Sequence, residues 1–212
     1  MAKKEAQTDI WVHELLKSAQ ITLSYQGSDI FELDKALKTA SKADTGKVGK
    51  PEFIGVVKDF VLVIENKAET SQHASRDKDG NLLEDTASKQ AYALNGALHY
   101  ARHIIKHTSY RKVFAIGVSG DEKRHLITPV FIDDSLYSRE LSDVETFVSF
   151  NEANIDYYYH REVLNQCGRK DHCRDSQRCK DFARDAVEGW ADQSREAPCC
   201  VGNLACSARG EL

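Results

Sequence analysis

The segment that most restricts the fold lies between residues 53 and 67. Two short runs of apolar and β-branched residues, Phe53-Ile54-Gly55-Val56-Val57 and Phe60-Val61-Leu62-Val63-Ile64, are separated there only by Lys58-Asp59. Runs of this length joined by two polar residues read as a β-hairpin. The second run ends in Glu65-Asn66-Lys67, and Pro51-Glu52 precedes the first. Side chains at i and i+2 of a strand share a face, so Glu65 and Lys67 project side by side while the partner strand brings Glu52 alongside. Glu-x-Lys alone is common on protein surfaces. Its place at the end of so apolar a strand gives it weight, because charges at the rim of a buried sheet are costly unless they serve a purpose.

The hairpin is embedded in alternating elements. Residues 8–19 carry Ile10, Trp11, Leu15 and Leu16 at helical spacing, and residues 30–43 repeat the pattern with Leu33, Ala36, Leu37 and Ala40. The turn-rich stretch 45–51 leads into the hairpin. Residues 68–85 are polar, contain Asp79-Gly80-Asn81 and read as a flexible surface loop. A long helix is expected over 86–107, with Leu94, Leu98 and Ile105 on its buried side, followed by strands at 113–118 and 125–132 around the Ser119-Gly120-Asp121 turn. The order ααββαββ implies an α/β domain, a mixed sheet flanked by helices, ending near residue 150. No internal repeat is present.

Two acids and a lysine converging at a sheet rim suit a hard cation. Mg²⁺ takes one or two carboxylates, keeps several waters and accepts phosphate oxygens. Glu52 and Glu65, with the main-chain carbonyl of Asn66, are the expected ligands of Mg²⁺ or of Mn²⁺ in its place. Lys67 is expected to position an attacking water and balance charge on the phosphorane-like transition state. The implied product is a cut phosphodiester.

Composition agrees with a soluble globular chain, 41% apolar and 29% charged over 212 residues. No apolar run approaches the roughly 18 residues of a membrane span, and the start, MAKKE, does not lead into a signal-peptide core, so a cytoplasmic location is expected. A net charge of -4 argues against a general polyanion binder, but Lys35, Lys38, Lys42, Lys47 and Lys50 face only one acid, Asp44, between residues 35 and 50. This basic stretch directly before the acids is read as a DNA contact through Lys42, Lys47 and Lys50. Taken alone, it is equally compatible with a solvated helix face and loop.

Four stretches, TASKADTGKVGKPEF at 39–53, VIENK at 63–67, YALNGALHYA at 92–101 and AIGVSG at 115–120, carry a family resemblance. In that order they resemble the N-terminal PD-(D/E)xK nuclease domain of type IIG restriction enzymes and their type I relatives, over roughly residues 9–165. The resemblance implies a restriction-endonuclease-like fold, an endodeoxyribonuclease activity that acts on double-stranded DNA, and a catalytic triplet on Glu52, Glu65 and Lys67. Glu52 departs from the commoner Asp. The family's nuclease is typically fused to a methyltransferase and a specificity module, and a homodimer is one way to cut both strands. Type I relatives also carry Gln-x3-Tyr on the next helix. Here Gly96 stands where the glutamine would precede Tyr100, so that element is broken. Tyr92, Asn95, His99 and Tyr100 are candidates for DNA-backbone contacts, with packing as the alternative for the tyrosines. Glu14 or Glu32 is a candidate for the extra acid that some members of the superfamily use. His99, His103 and His107, at i, i+4 and i+8, form a stripe that is either a zinc site or a polar face. The alternatives in function are a non-catalytic DNA-binding or assembly module and a repair or resolvase nuclease of the same fold.

Past residue 165 the resemblance stops. All six cysteines, 167, 173, 179, 199, 200 and 206, fall there without the close pairs of a structural zinc site. Relatives continue with a helical linker containing a string like KPLVVSAILLAL. With free third bases, Glu196 to Arg209 can be encoded so that a one-base shift spells KPLVVSAILLALR. The expected division is therefore a nuclease domain over 1–150, then a helical linker remnant and a poorly packed tail over 151–212, which is either an out-of-frame remnant or a genuine cysteine-containing extension.

Overall fold

The computed structural model describes residues 2–43 and 45–165. The cysteine-containing tail lies outside the described residues. The elements are α1 (Ala2–Ser18), β1 (Ser24–Tyr25), α2 (Phe31–Leu37), β2 (Phe53–Val57), β3 (Phe60–Lys67), α3 (Thr86–Ala91), α4 (Ala93–His107), β4 (Lys112–Gly120), β5 (His125–Asp133), β6 (Ser138–Glu140) and α5 (Ile155–Tyr158), which continues as a π-helical turn through Leu164. They build one six-stranded sheet in the order β1-β2-β3-β4-β5-β6. Only β3 and β4 pair in parallel; the other neighbours are antiparallel. The sheet is mixed α/β with helices against it, as the alternating sequence pattern implies.

β3 explains the two-sided packing. Phe60, Leu62 and Ile64 join a core with Val12 and Leu16 of α1, Phe114, Phe131, Phe150 and Tyr158. Val61 and Val63 point the other way, into a core with Leu33 and Leu37 of α2 and Leu94, Leu98, Ala101 and Ile104 of α4. A strand buried on both faces needs an apolar residue at nearly every position, and β3 has one from Phe60 through Ile64. Burial ends where the polar triplet begins only in sequence: Glu65 is still 1% exposed.

Several elements differ from the sequence reading. The helix expected over 86–107 is two helices, because Tyr92 adopts an extended conformation (φ -120, ψ 137) that closes α3 and opens α4. The Leu94 N–H at the start of α4 donates to the His73 carbonyl, which places a partner for it in the crossover loop. Strands β1 and β6 have two and three residues, too short to carry a period. On α1 the buried apolar residues are Val12 and Leu16, with Ala19 just past its end, while Ile10 is 66% exposed. The packed core takes in Ile155, Tyr158, Tyr159 and Val163, beyond residue 150. No helix among the described residues is long and apolar enough to cross a membrane.

The loop 68–85 is fastened rather than loose. Buried His73 bridges Ser119 Oγ (2.8 Å from Nδ1) and Thr128 Oγ1 (2.7 Å from Nε2), and Arg76 makes a two-pronged pair with Glu140. Burial holds the His73 imidazole below its ordinary pKa, which keeps it neutral between two hydroxyls. The crossover helix comes down onto the sheet at Gly117, where a Cβ would lie 2.8 Å from both the N and the Cα of Leu94. Gly117 pairs with Glu65 in the β3–β4 register, so this close approach also sets the height of α4 above the acids. Gly117→Ala is expected to destabilise the fold by about 1–3 kcal/mol, since backbone atoms cannot yield to the added methyl. Urea unfolding would measure it, and an unchanged midpoint would show that α4 has room to lift.

Candidate active site

The β2–β3 register pairs Phe53 with Ile64, and one step outward it sets Glu52 across from Glu65. The hairpin therefore brings together two acids that lie 13 positions apart in the chain, counted as 65 minus 52. Lys67, two residues beyond Glu65, is largely enclosed, its side chain 15% exposed, with Nζ 3.8 Å from Glu5 Oε1 on α1. The triplet read from the sequence is thus gathered at the open end of the β2–β3 hairpin.

The electrostatics are those of carboxylates held out of water. Glu65 Oε2 accepts a hydrogen bond from Lys42 Nζ at 2.6 Å, while its Oε1 is buried with no partner among the described residues. Burial raises the Glu65 pKa, opposed by Lys42 and then Lys67. Glu52 is pushed up to about 7, first by burial, then by the negative charges of Glu65 and Asp9. Gln26 Nε2 approaches Glu52 Oε2 at 3.4 Å. The Asn66 side chain turns toward α1 and donates from Nδ2 to Asp9 Oδ1 at 3.1 Å, leaving its Oδ1 buried with no partner among the described residues. Tyr25 OH donates to the other Asp9 oxygen at 3.0 Å, and burial together with this acid raises the tyrosine to about 12.

Asp9 is the acid that sequence reasoning missed. Glu14 pairs in solvent with its neighbour His13 at 3.8 Å. Glu32 accepts from the N–H and hydroxyl of Ser109, past the end of α4. Ser109 lies 13 residues beyond Gly96, on the order of 20 Å along a helix axis, so Glu32 belongs to a different part of the molecule. A lone Asp on a helix face carries no sequence signal; its partners Tyr25 and Asn66 come from distant elements.

Among the expected DNA contacts, Lys47 and Lys50 are exposed. Lys42 points inward to Glu65. Asn95 is 2% exposed, its Oδ1 accepts from the Ser75 N–H, and its Nδ2 donates to the Ser75 and Leu83 carbonyls, so its amide fastens the loop. Tyr100 is likewise 2% exposed; its hydroxyl accepts from the Lys50 N–H at 3.0 Å and supports the backbone behind Glu52. Gly49 is obligatory beside it, since a Cβ there would lie 2.5 Å from the Ala40 carbonyl oxygen and 2.6 Å from the Tyr100 ring.

The histidine stripe has a structural use. His99 Nε2 lies 3.1 Å from the Ala40 carbonyl oxygen and His103 Nε2 3.0 Å from that of Ala36, so imidazole N–H groups of α4 donate to main-chain carbonyls at the end of α2 and just beyond it. Burial, then neighbouring His107, lowers the His103 pKa. Among the described residues no three His, Cys, Asp or Glu side chains gather as a metal cage. What the site offers is a pair of carboxylates with open positions, a donor set of the kind Mg²⁺ accepts.

No protein-family model matches the chain, and no solved structure matches it. Over 173 residues it is 31% identical to the "Type II restriction enzyme and methyltransferase RM.BcgI" of Heyndrickxia coagulans, a match that covers 81% of this chain and 27% of that protein. The chain is therefore similar to a restriction-enzyme region and spans about a quarter of the relative's length.

A carboxyl whose pKa is raised on folding keeps a proton that the unfolded chain has released, so Glu52 makes the fold progressively less stable as pH climbs from 4.5 to about 7. Glu52→Gln is expected to raise the melting temperature at about pH 8 by roughly 2–4 °C, on the order of 1 kcal/mol after discounting for the solvent Glu52 retains, and to leave it unchanged near pH 4. Thermal melts followed by circular dichroism at the two pH values check this. Equal shifts at both would show that the Glu52 charge is not the cause.

Proposed function

We propose that this chain is a Mg²⁺-dependent endodeoxyribonuclease domain of the PD-(D/E)xK type, from a restriction-modification enzyme. Glu52 and Glu65 hold the metal with the carbonyl of Asn66, and Lys67 acts on water and phosphate. The observation that carries this is Glu65: a carboxylate 1% exposed, set opposite a second acid, with one oxygen left without a partner in the interior. An isolated buried carboxylate oxygen is costly unless a cation or donor completes it. The similarity to a restriction enzyme and methyltransferase supports DNA as the substrate.

A bound divalent ion would supply Lewis acidity, polarising the scissile phosphate and acidifying a water. The chain's own residues do the rest. Glu52 and Glu65 would hold the ion at the rim where β2 begins and β3 ends, and the Lys67 ammonium would donate hydrogen bonds to the incoming water and a phosphate oxygen. The water oxygen forms a new bond to phosphorus as the bond to one sugar oxygen breaks, leaving a phosphate monoester and a hydroxyl. Lys67 offsets the extra charge on the phosphoryl oxygens as they crowd together. Lys47 and Lys50, exposed beside Glu52, contact the DNA backbone without reading its sequence. A second copy serves the other strand, and sequence choice and methylation are not assigned to these residues.

Lys67 and the acids have separable roles. Lys67→Ala should reduce nicking of supercoiled plasmid in Mn²⁺ by about 100-fold or more while Mn²⁺ binding, followed by calorimetry, changes little, because lysine has no lone pair for the ion. Glu65→Ala should lose both. Cutting by folded Lys67→Ala at the parental rate would remove Lys67 from the site. Mn²⁺ binding indifferent to Glu52 and Glu65 would leave a non-catalytic module instead.

A further inference from the structure

The two oxygens of Glu65 are treated differently. Oε2 is taken by Lys42 Nζ at 2.6 Å, while Oε1 has no partner among the described residues. Lys42 lies on the turn after α2, and its side chain is only 19% exposed. Its course is held from both sides: the Ser41 N–H donates to the Lys47 carbonyl, and the Gly49 N–H donates to the Leu37 carbonyl.

Gly96 gives Lys42 its way in. A Cβ at position 96 would lie 3.4 Å from Lys42 Cδ, 3.4 Å from Glu65 Oε2 and 2.9 Å from the Lys89 carbonyl oxygen. The lysine stem fills the space a side chain at 96 would need, and its ammonium ends 5.5 Å from the centre of the Tyr100 ring. An opening on α4, an aromatic wall and a buried acid thus surround one inward-pointing cation.

We propose that Lys42 is a positioning residue for the metal ligand Glu65. Its ammonium anchors Oε2, fixing the carboxylate so that Oε1 faces the site that Glu52 completes, and Gly96 is the opening that admits it. The proposal rests on the reading of Glu52 and Glu65 as a metal pair. Groups that hydrogen-bond a ligating carboxylate orient it, and their loss typically lowers metal affinity about 10- to 100-fold. A lysine that only contacts DNA, or one that occupies the ion's place until displaced, predicts otherwise.

The test uses the full chain and two readouts. First, without metal, the Lys42 ammonium should give a slowly exchanging signal in nitrogen-15 NMR that disappears in Glu65→Gln. Second, Lys42→Met should weaken Mn²⁺ binding by calorimetry about 10- to 100-fold, and Lys42→Arg should recover most of it. In a Glu65→Gln background, Lys42→Met should add nothing. Should Lys42→Met fail to fold, Lys42→Gln gives the same comparison with one neutral donor. Parental or tighter Mn²⁺ binding in folded Lys42→Met overturns the positioning role and leaves the metal pair intact. Absence of Mn²⁺ binding through Glu52 and Glu65 in the parent chain overturns the metal reading and the positioning role together, whatever the ammonium signal shows.

Discussion

The rest of the structure turns on holding one carboxylate in the interior. Removing a carboxylate from water costs several kcal/mol even after the surroundings relax, and a partner must offset it. Glu65 meets that condition with Lys42, and the neighbouring backbone is arranged to let the two meet. Gly117 lets α4 settle against β4, Gly96 leaves space on the underside of α4, and Gly49 lets the segment after α2 pass beneath Tyr100. Each of these glycines lies where a methyl group would strike main-chain atoms. At Gly96 the close approach also leaves room for the Lys42 stem beside Glu65.

What was legible in the sequence is the hairpin and what hangs from it. Phe60 through Ile64 read as the second strand of a hairpin in a buried sheet, and the strand period then placed Glu52, Glu65 and Lys67 together. The break at Tyr92 was not legible, because Ala91-Tyr92-Ala93 contains neither Gly nor Pro and suits a helix; the Leu94 N–H finds its partner in the loop, at His73. Asp9 and Lys42 were hidden for a related reason. Their meaning lies in partners from other elements, and a charged residue on a helix or turn reads locally as a solvated one. The basic stretch 35–50 was read as one surface, yet one of its lysines turns inward.

Residue chemistry also misled where packing decided its use. His99 and His103 have the spacing of metal ligands, but their N–H groups donate to the Ala40 and Ala36 carbonyls at and beyond the end of α2. Asn95 has the side chain of a DNA contact and instead joins the loop at Ser75 and Leu83 to α4. In both cases main-chain carbonyls nearby were the stronger claimants, since a buried carbonyl has two lone pairs and gains from a second donor. The polar loop 68–85 is held in a related way: Asn95 of α4 answers its backbone, and Ser119, Thr128 and Glu140 of the sheet answer its side chains His73 and Arg76.

The turn at Lys58-Asp59 acts as a vernier for the acids at the far end of the hairpin. In the antiparallel pair, partner positions sum to a constant, as Phe53 with Ile64 and Val57 with Phe60 both show. One residue added to the turn would change that sum, send Glu52 to the opposite face of β2 and set Pro51 or Phe53 across from Glu65. Lys58, at a positive φ of 54, is held by Asp156, and Asp59 by Lys112 on β4, so both turn residues are pinned to neighbouring elements. A change in loop length roughly 20 Å from the acids, by strand rise alone, would put the pair out of phase as surely as replacing one of them.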